Sequence, residues 1–205
     1  MKRKVLFIFL VSILISCHKE DDINYPSFIT AGQTQGDGIK YVDFEPDKKF
    51  VSYSNELKRH IILDLNNDGI DDFELVYDFP WSWGLSFLRF AYVIPLGNNS
   101  VCISEKGERL LIEALELGDT IDANNNWLNS QAYLYAYSYQ SGFMAPDATI
   151  YVNENYEGDW YNRDNIFVGV KIINEDYELY GWIDVAILKD ENTGILRQYS
   201  VTEPF

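Results

Sequence analysis

The sequence predicts an all-β domain: a single antiparallel β-sandwich of jelly-roll-like form with at most one short helix. Three observations carry this. Aromatic residues make up 16% of the chain, led by 15 tyrosines and 12 phenylalanines, and such side chains fit half-buried pleated surfaces. Apolar residues recur in short alternating runs of strand length. Clusters of Gly, Asn and Asp separate those runs as turns would.

Residues 1–16 read as a secretory leader. Lys2, Arg3 and Lys4 form a positive start, and Val5 to Ile15 is an apolar run broken only by Ser12. A helix of that run falls short of the ~30 Å hydrocarbon core of a bilayer but suits the apolar segment of a signal peptide. Leu14-Ile15-Ser16-Cys17 follows. This tetrapeptide resembles the bacterial lipobox, which implies cleavage before Cys17, lipidation of its thiol and a membrane anchor. Cys17-His18-Lys19-Glu20-Asp21-Asp22 resembles the export signal of Bacteroidota surface lipoproteins. That resemblance implies a lipid-anchored place in the outer membrane, with the domain facing outward; a solvated polar spacer is the competing reading. Residues 17–37, with Pro26 and few aliphatics, are expected to form a flexible acidic tether. Residues 38–205 are expected to form the domain.

Within the domain the strand candidates run Ile39–Phe44, Phe50–Tyr53, His60–Leu65, Asp72–Tyr77, Leu85–Ile94 and Ser100–Ser104. They resume with Ala132–Tyr139, Thr149–Val152, Ile166–Ile173, Glu178–Leu188 and Ile195–Val201. Between them, Glu105–Leu117 spaces Leu110, Leu111, Ala114 and Leu117 at helical steps, with Gly118 as a stop. No repeat or second apolar unit divides the chain. In the closing hairpin, Gly181 beside Trp182 marks a place where a backbone or a large ring passes close. The Tyr180-Gly181-Trp182-Ile183 strand resembles that of uncharacterised secreted bacterial β-sandwich domains with a Y-G-W-[IV] signature, and no activity follows from that resemblance.

Charge limits the partners. The formal net charge is −16, and removing Lys2, Arg3 and Lys4 with the leader makes it −19. Nucleic acid and anionic head groups should be repelled, so membrane contact is expected through the lipid alone. With Cys17 acylated, Cys102 is the only other cysteine, and no disulfide can form within the chain. Its setting, Ser100-Val101-Cys102-Ile103-Ser104, suits a small buried apolar residue rather than a nucleophile.

The chemistry concentrates in Asp64-Leu65-Asn66-Asn67-Asp68-Gly69-Ile70-Asp71-Asp72. Ca²⁺ takes six to eight oxygens. Asp64, Asn66 and Asp68 offer side-chain oxygens at alternate positions, Gly69 allows a sharp turn, Ile70 offers its carbonyl and Asp72 stands two places further on. The loop resembles those of dockerin, thrombospondin type 3 and FG-GAP-like repeats, which implies a structural calcium site. It departs from the EF-hand, with Leu75 where the bidentate glutamate would stand and with strand-like flanks. Asp71, Glu74 or Asp78 would complete the shell. A metal-free Asn/Asp/Gly turn is the simpler alternative.

Two aromatic groups stand out. Tyr133, Tyr135, Tyr137 and Tyr139 share one face of an ideal strand, as an aromatic layer inside the fold or as a platform for sugar rings. Trp81 and Trp83 are expected in a loop, where they are candidate ligand contacts. Catalysis finds little support: the only histidines are His18 and His60, and no nucleophile motif occurs. The expected role is therefore a non-catalytic binding or adhesion module for a glycan or peptide. Alternatives are a structural component of an envelope complex and a hydrolase using paired carboxylates.

Overall fold

The computed structural model describes residues 24–51, 60–83, 86–104, 110–144, 149–160, 163, 165–188 and 193–204, without the side chains of 79–83, 86–87, 139–144 and 149–154. The leader, the lipobox and Cys17 lie outside the described residues. The described chain is all-β. Its strands are β1 (Phe28–Thr30), β2 (Ile39–Val51), β3 (His60–Leu63), β4 (Phe73–Trp83), β5 (Ser86–Pro95), β6 (Ser100–Ser104), β7 (Leu111–Ile112) and β8 (Leu115–Glu116). They continue as β9 (Thr120–Asp122), β10 (Trp127–Leu128), β11 (Ala132–Met144), β12 (Thr149–Glu157), β13 (Ile166–Ile173), β14 (Glu178–Leu188) and β15 (Thr193–Thr202).

β1 and β9 form a two-stranded ribbon, and the other strands join one 13-stranded sheet in the order β2-β15-β14-β13-β6-β7-β11-β5-β4-β3, with β8, β10 and β12 attached at its side. Pairing is antiparallel except where Leu111 of β7 runs parallel beside Tyr133 of β11. The β6–β7 pairing joins two layers into one curled sheet. Their far edges, β2 and β3, approach each other, and there the Lys40 ammonium donates to the Leu65 carbonyl at 2.7 Å. The sheet is thus nearly barrel-like, and such closure protects strand edges.

Alternation explains the main core. Leu75 and Tyr77 of β4, Val168 and Val170 of β13 and Ile183 and Val185 of β14 point inward and are buried. A second apolar cluster lies outside this layer, where Ile29, Ala31, Leu115 and Ile121 cover Phe167, Tyr180 and Trp182. β14 is therefore buried on both faces along most of its length. The Trp182 indole donates to the Gln33 carbonyl at 3.1 Å. Residues 24–37, expected as tether, thus pack on the domain, which begins upstream of Gly38. At Gly181 the close neighbour is a backbone: an added Cβ would stand 2.5 Å from the Ser200 carbonyl oxygen.

The structure corrects three local expectations. The part of the expected helix that is described, Leu110–Leu117, forms β7, β8 and the start of a turn. Leu110 and Leu117, which a helical stripe would bury, are exposed, because the backbone bonds instead to β6, β11 and β13. Tertiary pairing outweighs a propensity worth tenths of a kcal/mol per residue. Trp81 and Trp83 belong to strand β4, paired with Leu88 and Ser86, and not to a loop. Pro80 sits where the β4 register shifts, a place a residue without an N–H tolerates. A bulge between Tyr133 and Tyr135 splits the tyrosine row. Tyr133 meets Phe90 and Tyr92, while Tyr135 and Tyr137 are buried in the interior. The side chain of Tyr139 lies outside the described residues.

Candidate functional site

The acidic loop joins β3 to β4 across the Leu63–Phe73 pair. The Asp72 amide donates to the Leu63 carbonyl at 2.7 Å and closes the loop's base. Two residues inside adopt left-handed backbone, Asn67 at φ 62° and Gly69 at φ 86°. Asn and Gly are the residues that enter this region most readily, so the local sequence dictates the reversal.

The carboxylates organise the loop's own amides. Asp64 accepts from the Asp68 amide at 3.2 Å and from the Gly69 amide at 2.9 Å. Asn66 Oδ1 accepts from the Asp68 amide at 3.1 Å, and Asp68 Oδ1 accepts from the Ile70 amide at 2.8 Å. The Asn66 amide group donates to Asp68 Oδ2 at 2.9 Å. Each oxygen keeps a second lone pair. Asp64, Asn66 and Asp68 together bring five side-chain oxygens to the loop, short of the six to eight oxygens Ca²⁺ takes. Among the described residues no three His, Cys, Asp or Glu side chains gather as a metal cluster. The donor chemistry fits calcium in kind, with water or a further acid needed to complete the shell.

Asp72 stands apart from these ligands in environment. It is 3% exposed. One carboxylate oxygen accepts from the Leu65 amide at 2.8 Å and the other from the Asn99 amide group at 2.9 Å. Burial pushes its carboxyl above the usual range, and the Leu65 and Asn99 hydrogen bonds oppose that shift. Asn99 is also buried, and its Oδ1 accepts from the Ile173 amide at 2.9 Å. It therefore ties the acidic loop to the end of β13. Asn129 in turn donates to the Gly97 and Asn99 carbonyls. In the sequence Gly97-Asn98-Asn99 has the composition of a plain turn, and nothing local marks Asn99 as a hub.

Lys40 is the other residue that sequence reasoning missed. Burial lowers its ammonium pKa, and Asp64, Glu203 and Asp72 act against that shift. It lies in a cleft of about 300 Å³ on one side of the loop, together with Tyr25, Asn66, Asp68, Tyr177 and Glu203. The Tyr25 and Tyr177 rings stack with centroids 5.3 Å apart. A second cleft of about 250 Å³ opens on the other side, between the loop and the Asn174 turn. Ile70 stands beside it, 67% exposed. The first cleft is at the lower end of ligand-site volumes and the second just below it.

The remaining candidates lie elsewhere. Trp81 and Trp83 stand at the opposite end of β4 from the loop, and their side chains lie outside the described residues. His60 Nδ1 pairs with Glu74 at 2.8 Å on a half-exposed surface. Cys102 is buried as expected and donates to Glu113 at 3.2 Å. Burial and the Glu113 carboxylate push its thiol up to about 12, so it carries no thiolate at neutral pH to act as a nucleophile. Comparison with family models, curated proteins and solved structures returns no match.

Proposed function

We propose that the chain is a lipid-anchored outer-membrane protein whose β domain is a binding or adhesion module stabilised by Ca²⁺, acting on a glycan or peptide without catalysis. The observation that carries this is the loop end of the barrel. Asp64, Asn66 and Asp68 collect side-chain oxygens on a tightly turned backbone, between clefts of about 300 and 250 Å³. Cys102, the one free cysteine among the described residues, is buried with a raised pKa and offers no thiolate nucleophile. That favours binding over chemistry.

In this reading Ca²⁺ neutralises Asp64 and Asp68 and pins the turn, while Asp72, its two oxygens engaged by Leu65 and Asn99, braces the loop from within. Extracellular calcium modules bind at ~10⁻⁴ to 10⁻³ M. Millimolar calcium then adds about 1 kcal/mol of stability, or roughly 2–4 °C in a domain of this size. Thermal melts of the mature protein with calcium and with chelator test this. The shift is expected in the wild type and lost in Asp64→Ala/Asp68→Ala; equal melting temperatures in both buffers would remove calcium from the proposal.

A further inference from the structure

The cleft beside the acidic loop has a chemical character that the binding reading leaves unspecified. Its apolar lining comes from the stacked rings of Tyr25 and Tyr177, with the buried Leu179 and Val201 also lining it. Its polar lining mixes opposite kinds of group. Lys40 offers an ammonium, which only donates. Asp68 and Glu203 offer carboxylates, which only accept when ionised. Asn66 does both.

That mixture discriminates among ligands. A phosphate or sulfate would meet Asp68 and Glu203 and approach a chain of net charge −16, so like-charge repulsion opposes it. An organic cation would meet Lys40, held in place through its bond to the Leu65 carbonyl. A hydroxyl group satisfies both sides, because it accepts from the ammonium and donates to a carboxylate. A ring of hydroxyls with an apolar C–H face also suits the negative face of a tyrosine ring. A sugar combines these properties.

We infer that this cleft is a glycan subsite for a neutral, hydroxyl-rich sugar ring, held against the Tyr25–Tyr177 pair and hydrogen-bonded by Lys40, Asn66, Asp68 and Glu203. The inference rests on the binding-module reading and names its ligand class and place. It shares Asn66 and Asp68 with the proposed calcium site and is told apart from it through Tyr25, Tyr177, Lys40 and Glu203, which are not proposed metal ligands.

The test uses the full mature lipoprotein in detergent on an array of neutral glucans, mannans, galactans and xylans, beside sialylated and sulfated glycans and a casein peptide digest. Neutral glycans should bind, and Tyr177→Ser and Glu203→Gln should each weaken that binding at least tenfold. A second readout is lysine acetylation followed by mass spectrometry. The soluble form of the glycan that binds should slow modification of Lys40 several-fold and leave Lys171 unchanged, which tests the cleft without any variant. Unchanged Lys40 labelling under saturating glycan overturns the inference. Loss of binding in Trp81→Ala/Trp83→Ala with the cleft variants unaffected overturns the cleft and leaves the module standing. Binding confined to charged glycans or peptides also overturns the cleft alone, and silence on every probe overturns both.

Discussion

At the scale of single residues, Asp72 shows how a carboxylate is put to structural use. Its two oxygens satisfy the Leu65 amide and the Asn99 side chain in a dry setting. Asp72→Ala strands those donors, and an unsatisfied buried donor costs about 1–3 kcal/mol. The variant should lose about 2–3 kcal/mol in urea unfolding. The same burial makes the residue pH-sensitive. Its folded pKa is raised, with desolvation as the larger cause and the Leu65 and Asn99 bonds opposing. The folded state therefore holds the proton more tightly than the unfolded chain does. This contribution is fully present below the ordinary aspartate value of about 3.9 and is lost as pH rises through the raised folded value. Asp184, buried and shifted up by desolvation against Arg197 and Gln198, has the same sign. Melts across that window should show the gap between wild type and Asp72→Asn narrowing as pH rises. A gap that widens would mean that hydrogen bonding to the carboxylate outweighs its burial.

At the scale of elements, small departures from strand regularity decide what each face presents. The bulge in β11 puts Tyr133 with Phe90 and Tyr92 and sends Tyr135 and Tyr137 into the core. A one-residue slip moves a side chain to the other face, so an unbroken alternation in the sequence misplaced one tyrosine of the row. β14 is fitted equally closely. At Gly181 the β15 backbone leaves no room for a Cβ, with the Ser200 oxygen 2.5 Å and Val201 Cα 3.3 Å from its position. Gly181→Ala should therefore force β14 and β15 apart. Overpacking of this kind costs about 1–3 kcal/mol, read as a lower urea midpoint with an unchanged m-value. An alanine variant as stable as wild type would show that the pair of strands shifts freely.

At the scale of the whole molecule, the expectations concern placement. A chain of net charge −19 without its leader offers anionic membranes no attraction, so the proposed anchor is the lipid on Cys17. Cys17→Ser should move the protein from the membrane to the soluble envelope fraction and remove the acyl mass from the N-terminal peptide. Retention of the serine variant on membranes would refute lipid anchoring. The nearly closed sheet adds a mechanical point. Its two edges meet where Lys40 reaches the Leu65 carbonyl, so the loop proposed to hold calcium also lies at the barrel's seam. Events in the loop, the cleft and the seam are therefore physically joined.

The sequence by itself determined the all-β class, the turn chemistry of Asn66 to Gly69 and the buried setting of Cys102. Each is a local signal: composition, a period of two, or a backbone preference carried by one or two residues. It did not reveal that residues 24–37 pack on the domain, that Leu110–Leu117 is extended, or that Asp72 turns inward. Those outcomes depend on partners remote in the chain, such as Asn99 for Asp72, 27 residues away, and Trp182 for Gln33, 149 residues away. Only the tertiary fold brings such pairs together, because burial of a polar group depends on what stands opposite it in space and not on what adjoins it in sequence.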